Sequence, residues 1–304
     1  MRRLARYRRR VPDPDVDIAA ALAWAGSALG SPVTSSDALA GGLTSTMLAL
    51  RNDDGAESVL RLMTVEPWRA HGAELTTRER EAQLAMAGTP VPAPTSVALD
   101  AEGAVAGAAA HLMSRLPGAP LEEDEALGEH RLRAMADLLV TIHAQRPAEP
   151  FRTFQSWAWE EKWVVPPWSR HPDSWRRAFE VLGGPAPAYE PTFLHRDFGH
   201  RNLLWSGDAV TGVVDWVETS TGPAWLDAAH AASNLALAHG TGPAQDFLRR
   251  YAAASSTDAD AHWLVMDAVG YLPPPGKRPL FGRTDQLGRL DAWLDLVVRD
   301  TLLS

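Results

Sequence analysis

The chain has 304 residues, a formal net charge of −9, 45% hydrophobic residues and 22% charged residues. These values are typical of a folded globular protein of about two domains, and no apolar run reaches the ~18 residues of a membrane span. The absence of cysteine excludes a disulfide framework and a thiolate metal site. The composition therefore favours a cytoplasmic enzyme, and the acidic balance suits a cationic ligand.

The chain begins with an arginine-rich segment, residues 1–10, which is followed by Val11-Pro12-Asp13-Pro14-Asp15. Since no apolar stretch follows the arginines, the segment is not a signal peptide. A solvated tail and a nucleic-acid contact are the two interpretations. The acidic charge of the whole chain favours the tail.

The N-terminal part predicts a mainly antiparallel sheet with a helix packed on it. Helical spacing occurs at 16–29 and 74–87, and apolar runs typical of strands occur at 46–51, 57–63, 95–99 and 104–113. The first two strands flank Asn52-Asp53-Asp54-Gly55, a strong hairpin turn signal.

The run Leu116-Pro117-Gly118-Ala119-Pro120 breaks this pattern and predicts a boundary between an N-terminal lobe, 1–115, and a C-terminal lobe, 116–304. Helical patterns beyond it cover 125–145, 174–182, 224–238, 243–253, 258–269 and 284–303. We therefore predict an α+β fold with two lobes, the second mainly helical.

The most informative stretch runs from His195 to Asn202 and is followed by an apolar strand that ends near Asp215. Phosphoryl transfer from a nucleotide needs a carboxylate that accepts the proton of the attacking hydroxyl. It also needs oxygen ligands that hold magnesium on the phosphates. Each residue alone would more often cap a loop. The ordered set of Asp197, Asn202 and Asp215, with short strands at 193–194, 203–205 and 211–216, favours a small-molecule kinase.

This pattern, His-x-Asp, four residues, Asn, and then a strand ending in Asp, resembles the aminoglycoside phosphotransferase family, relatives of protein kinases that phosphorylate small molecules. The resemblance implies a protein-kinase-like fold, with ATP or GTP as phosphate donor and Mg²⁺ as cofactor. It also implies Asp197 as catalytic base, Asn202 and Asp215 as magnesium ligands, and His195 as a structural support of the loop. His143 and Asp227 match structural positions of the family.

The resemblance extends to nucleotide binding in the N-terminal lobe. It assigns this role to Gly41, Gly42, Ser45, Thr46, Arg61, Glu81, Met113, Ser114 and Leu116. The first four lie where the family has its nucleotide loop, and the last three lie where the adenine sits, with Met113 as gatekeeper. Arg61 takes the place of the cation that contacts phosphate. Glu81 is its expected ion-pair partner, and Glu79 is close enough to be the alternative.

The acceptor is less well defined. Asp215 is followed by Trp216-Val217 instead of Phe-Gly, and no Ala-Pro-Glu follows, so a protein substrate is not expected. Several tryptophans precede the catalytic loop: Trp157, Trp159, Trp163, Trp168 and Trp175. Together with nearby carboxylates they suit a sugar, an amine or a cationic antibiotic, although core packing is the alternative.

Three hypotheses follow. The first is a kinase that phosphorylates a hydroxyl of an aminoglycoside or another antibiotic. The second is a metabolite kinase of the same fold with a choline-like, homoserine-like or sugar-like substrate. The third is a nucleotide-binding protein without turnover, which the intact Asp197, Asn202 and Asp215 argue against. The sequence leaves regiochemistry and oligomeric state open.

Overall fold

The computed structural model describes residues 17–39, 44–122, 125–277 and 284–302. The chain folds into two compact units. The first comprises Met1–Pro117 and Val214–Glu218, and the second comprises Gly118–Val213 and Thr219–Ser304. The predicted α+β class is confirmed, with an antiparallel sheet in the first unit and a mainly helical second unit.

The first unit is built on a five-stranded antiparallel sheet in the order β1-β2-β3-β5-β4. Its strands are β1 Val33–Ala38, β2 Thr46–Asn52, β3 Glu57–Leu62, β4 Ser96–Asp100 and β5 Ala110–Ser114. Its helices are α1 Ile18–Leu29 and α2 Gly72–Met86. The predicted β2–β3 hairpin is confirmed: Gly55 has a φ of 82°, and its amide donates to the carbonyl of Asn52 at 3.0 Å.

Two features of this sheet differ from the prediction. The strand predicted at 104–113 begins only at Ala110, because the Asp100 carboxylate accepts hydrogen bonds from the amides of residues 104–106 and closes a turn there. Strand β1 was not predicted, because its sequence, VTSSDA, lacks the apolar alternation of a half-buried strand.

The described part of the second unit holds six α-helices. They are α3 Glu129–His143, α4 Pro172–Gly183, α5 Ala224–His239, α6 Thr241–Ser255, α7 Ala261–Gly270 and α8 Thr284–Leu302. Helix α5 is buried along most of its length and packs against α6, α7 and α8. Helix α5 is therefore the centre of this unit.

Four short strands of the second unit frame residues 195–202, the loop that is predicted to be catalytic and is called the catalytic loop below. Strands β6 Thr192–Leu194 and β9 Ser220–Gly222 pair with each other, and β7 Leu203–Ser206 pairs with β8 Ala209–Val213. The strand predicted at 211–216 ends at Val213 because Asp215 adopts the left-handed conformation, with a φ of 69°. Among the described residues, no helix combines the length and the apolar character that a membrane span requires.

Candidate active site

The catalytic loop joins β6 to β7 in the second unit, and Asp227 in the first turn of α5 fixes its shape. The buried Asp227 carboxylate accepts hydrogen bonds from the backbone amides of His195 at 2.8 Å and Arg196 at 2.7 Å. Arg196 has a φ of 72°, a conformation that costs a non-glycine residue about 1–2 kcal/mol. Asp227 therefore stabilises the turn that presents the next residue, Asp197.

His143 supports the Asp227 carboxylate from the other side. Its Nε2 lies 3.2 Å from Asp227 Oδ2, and its Nδ1 lies 2.8 Å from the Tyr251 hydroxyl. Burial raises the pKa of Asp227, but the hydrogen bond and charge of His143, with smaller effects of His195 and Arg196, outweigh it and lower the pKa. Asp227 and His143 thus form a buried support for the loop.

The side chain of Asp197 is held by donors on both carboxylate oxygens. Asn202 Nδ2 donates to Asp197 Oδ2 at 3.1 Å and to the Asp197 carbonyl at 2.8 Å. His230 Nε2 lies 2.8 Å from Asp197 Oδ1. About a third of the Asp197 side chain, 35%, is exposed. The carboxylate is therefore both oriented and accessible.

His230 of α5 also contacts a second carboxylate. Its Nδ1 lies 2.9 Å from Oδ1 of Asp267, a fully buried residue of α7. Burial alone would lower the pKa of His230, but the charge of Asp267 and the hydrogen bonds to Asp197 and Asp267 raise it to about 9. In turn, burial raises the pKa of Asp197, and the hydrogen bond and charge of His230 outweigh it, so that the pKa of Asp197 is lowered.

The tryptophans before the catalytic loop mostly pack inside the second unit. Trp175 is fully buried and donates to Asp291 at 2.8 Å, and Trp163 stacks on Phe179 with ring centroids 6.2 Å apart. Trp157 instead lies under the guanidinium of Arg196, with its ring centroid 3.7 Å from Cζ. Trp157 is therefore the tryptophan of this group that adjoins the catalytic loop.

A second cluster lies in the first unit around Arg61, a buried residue of β3. The Arg61 guanidinium lies 2.9 Å from Glu79 Oε2 and donates to Glu79 Oε1 at 3.0 Å and to Asp215 Oδ1 at 2.9 Å. Burial alone would lower the pKa of Arg61. The charges of Asp215 and Glu79 outweigh this effect, so the pKa is raised above its ordinary value. Arg61 is thus a permanently charged group between two carboxylates.

The predicted ion pair between Arg61 and Glu81 is wrong. Glu81 lies on the exposed face of α2, whereas Glu79 is fully buried on the face that packs against the sheet. His111 of β5 also contacts Glu79, with Nδ1 2.9 Å from Oε2. Burial raises the pKa of Glu79, but the charge of Arg61 and the hydrogen bond of His111 outweigh it and lower the pKa.

The other residues predicted to bind nucleotide also belong to the first unit. The Ser45 hydroxyl accepts from Arg61 Nη1 at 3.1 Å, so Ser45 joins the Arg61 cluster. The Thr46 hydroxyl instead lies 2.8 Å from that of Thr64. Gly41 and Gly42 lie outside the described residues.

The segment predicted to bind adenine begins at the end of β5. Met113 is buried, and its sulfur lies 3.3 Å from Gln83 Nε2. The Ser114 amide donates to the Thr95 carbonyl at 2.9 Å. The Ser114 amide is therefore already occupied and is not free for a purine. Leu116 is half-buried.

The magnesium prediction concerns residues of both units. Both hydrogen bonds of Asn202 to Asp197 use its amide nitrogen, so its amide oxygen is the atom that could bind a cation. In the described part of the chain, no group of three or more histidine, aspartate or glutamate residues is arranged to hold a metal ion. The assignment of Asn202 and Asp215 as ligands stays a prediction.

Sequence reasoning missed three residues of these clusters: His111, His230 and Asp267. His230 follows Asp227 by three residues and so shares its helix face, a spacing that could have identified it. His111 lies opposite Arg61 in the β3–β5 register. Asp267 carries no such signal, because only the packing of α7 on α5 brings it to His230.

Comparison with known proteins assigns the chain to a family. The model of the phosphotransferase enzyme family, APH, matches residues 37–268. Because the match spans more than half of the chain, the chain belongs to this family. The predicted family and the predicted enzyme class, a small-molecule kinase, are confirmed. No curated protein matches the chain.

Solved structures share the fold at low sequence identity. Aminoglycoside phosphotransferase APH(4)-Ia is 17% identical, with 93% of this chain and 99% of that chain covered and a TM-score of 0.65. Macrolide 2′-phosphotransferase MphH from Brachybacterium faecium is 16% identical, with 84% and 91% covered and a TM-score of 0.58. Amicoumacin kinase hAmiN is 14% identical, with 88% of each chain covered and a TM-score of 0.52. At these identities the likeness establishes the fold alone.

Proposed function

We propose that this member of the phosphotransferase enzyme family transfers the γ-phosphate of ATP to a hydroxyl group of a small molecule, with Asp197 as the base. The observation that carries the proposal is the state of the Asp197 carboxylate. It is partly exposed, bound by donors on both oxygens, and its pKa is lowered. An ionised, oriented carboxylate is the group that can accept the proton of an attacking hydroxyl.

Arg61 supports the phosphate side of the reaction. It is a buried cation whose guanidinium is oriented by Glu79 and Ser45, and its fixed positive charge attracts phosphate oxygens. Magnesium, when bound, neutralises charge on the transferred phosphate. Asn202 and Asp215 offer the oxygen atoms that magnesium prefers, and we propose them as its ligands.

For the acceptor we propose an antibiotic with a free hydroxyl. A mutant of APH(4)-Ia has been solved with ADP and hygromycin B, and hAmiN with AMP-PNP, Ca²⁺ and its ligand Ami. These complexes belong to proteins of the same fold, so they support the proposal by similarity only. The acidic net charge of −9 adds an expectation that the acceptor is cationic.

The test is ADP release with ATP or GTP over a panel of aminoglycosides, macrolides, choline-like amines and sugars. Mass spectrometry then identifies the phosphorylated product. The Asp197→Asn variant should lose about 10²–10⁴-fold in turnover while it still binds ATP, since the carboxylate acts on the hydroxyl. Asp258→Asn, an exposed aspartate between α6 and α7, is the matched control and should keep normal turnover.

Each outcome of this test has a defined meaning. Near-normal turnover of Asp197→Asn would refute the base assignment. If the best acceptor is a metabolite, the proposal of an antibiotic substrate is rejected, but the proposed reaction still stands. For a cationic acceptor, the apparent affinity should weaken as salt is raised, because exposed charges are screened. ADP release that no member of the panel increases, with no phosphorylated small molecule formed, would contradict the small-molecule proposal.

A further inference from the structure

The imidazole ring of His230 lies between two carboxylates. Its Nε2 is 2.8 Å from Asp197 Oδ1, and its Nδ1 is 2.9 Å from Asp267 Oδ1. Carboxylate oxygens only accept hydrogen bonds, so both ring nitrogens must donate. A histidine that donates from both nitrogens carries a positive charge.

Aromatic neighbours hold the ring in this position. The ring of Tyr271 lies parallel to that of His230 with centroids 5.8 Å apart, and Trp157 meets it edge-on at 5.3 Å. His230 is 5% exposed. The ring therefore has no room to turn, and the direction of its Nε2–H bond is fixed.

The surroundings of the ring favour its positive charge. Charged and titratable groups face it from each packed element: Asp197 and Arg196 of the catalytic loop, Asp267 of α7, and Tyr271 after α7. On its own helix, Asp227 is bound to His143 and to the loop amides. Arg196 Nη1 lies 3.9 Å from Asp267 Oδ1, so the second cation also faces the buried carboxylate.

We propose that His230, oriented by Asp267, is a positioning residue that holds Oδ1 of Asp197 and so fixes the direction in which this carboxylate meets the acceptor hydroxyl. The proposal rests on the proposed function. In the reaction, the acceptor oxygen forms its bond to the γ-phosphorus as the bond from phosphorus to the ADP oxygen breaks, and the hydroxyl proton passes to Asp197. His230 keeps its own proton throughout and touches no reacting atom.

Loss of the His230 proton should disable this arrangement. A neutral ring donates only one hydrogen bond, and losing a donor costs more at the buried Asp267 than at the partly exposed Asp197, so the remaining proton should stay on Nδ1. The lone pair of Nε2 would then face Asp197 Oδ1 and repel it. Since the pKa of His230 is raised to about 9, kcat/KM should fall in that pH range.

The experiment compares pH profiles of kcat/KM for the full-length wild type and two variants, His230→Gln and His262→Gln. Glutamine at 230 can still donate one neutral hydrogen bond. His262 is a matched buried histidine, 6% exposed, in α7. His230→Gln should lose about 10–100-fold in kcat/KM at neutral pH, since a misplaced base reacts slowly. Its basic limb near pH 9 should disappear, because the group that loses its proton there is gone.

A purely structural role of His230 would not remove the basic limb. His262→Gln should therefore keep the basic limb at its wild-type position, whatever stability it loses. An unchanged pH profile in His230→Gln would overturn the proposal, even if the variant were slower or less stable.

A second measurement needs no variant that turns over. The ring nitrogens of His230 are followed by NMR in the substrate-free wild type, with the His230→Gln spectrum used only for assignment. The ring should remain protonated to about pH 9. Titration at or below its ordinary value of about 6.5 would refute the arrangement. If the wild type phosphorylates no acceptor, the proposed function fails, while this titration still decides whether His230 is the charged partner of Asp197.

Discussion

Replacing Asp227 by asparagine should loosen the catalytic loop and slow the reaction. Asp227 accepts two backbone amides, of His195 and Arg196, in a fully buried environment. A hydrogen bond to a charged group contributes about 1.5–3 kcal/mol, so the two together contribute about 3–6 kcal/mol. Asparagine can keep one of them, so we expect a loss of about 1.5–3 kcal/mol in the free energy of unfolding of the second unit.

The assays are urea denaturation, hydrogen exchange at residues 195 and 196, and turnover. Exchange at both amides should accelerate. Turnover should fall by about 100-fold, because Arg196 no longer holds its left-handed conformation and Asp197 moves. Asp246→Asn, which breaks only surface ion pairs with Arg249 and Arg250 on α6, is the control and should cost about 0–1 kcal/mol. An Asp227→Asn protein with the stability of this control and normal turnover would refute the reasoning.

Two further predictions concern buried charges. Glu79→Gln should lower the free energy of unfolding by about 3–5 kcal/mol, since Arg61 keeps its charge. Glu81→Gln should change it by less than about 0.5 kcal/mol. Equal effects of the two variants in thermal denaturation would contradict the ion pair between Arg61 and Glu79. For His230, the folded-state pKa of about 9 exceeds the ordinary value, so its contribution to stability is complete below about pH 6.5 and is lost as the pH rises through 9. The wild type should lose about 3 kcal/mol over this range relative to His230→Gln, and a constant difference between the two would count against the shift.

The catalytic loop could be predicted because its functional groups are close in sequence. Asp197 and Asn202 lie five residues apart between two short strands, so local spacing alone indicates that they meet. Their hydrogen bond at 3.1 Å joins two residues of one loop. Asp267 could not be predicted, because it reaches His230 only through the packing of α7 on α5. Packing between two helices cannot be recognised from the spacing of residues within one segment of the sequence.

The sequence contains enough information to choose Glu79 over Glu81 as the ion-pair partner of Arg61. The buried residues of α2 include Leu75, Glu79, Ala82 and Met86, which recur every three or four positions as one helix face requires. Glu81 falls outside this series and is exposed. The family resemblance pointed to the wrong glutamate, whereas helix periodicity would have selected the right one.

The start of the strand predicted at 104–113, in contrast, could not be found from the apolar pattern. Its first half is rich in alanine and glycine and resembles an apolar strand. Its conformation is instead set by the carboxylate of Asp100. Asp100 collects the amides of residues 104–106 at 2.8–3.1 Å, and this turn competes with strand pairing. Periodicity does not register such side-chain to backbone bonds, so the error could not be avoided from the apolar pattern.

The two clusters are built on the same electrostatic plan, each within its own unit. A cation lies between one fully buried carboxylate and one that is partly exposed: Arg61 between Glu79 and Asp215, and His230 between Asp267 and Asp197. Asp215 is 29% exposed and Asp197 is 35% exposed. The buried carboxylate offsets the cost of burying the cation, and the cation then orients the exposed carboxylate. Each triplet carries one net negative charge. One carboxylate of each triplet thus stays accessible, Asp197 for the proposed role of base and Asp215 for the proposed role of magnesium ligand.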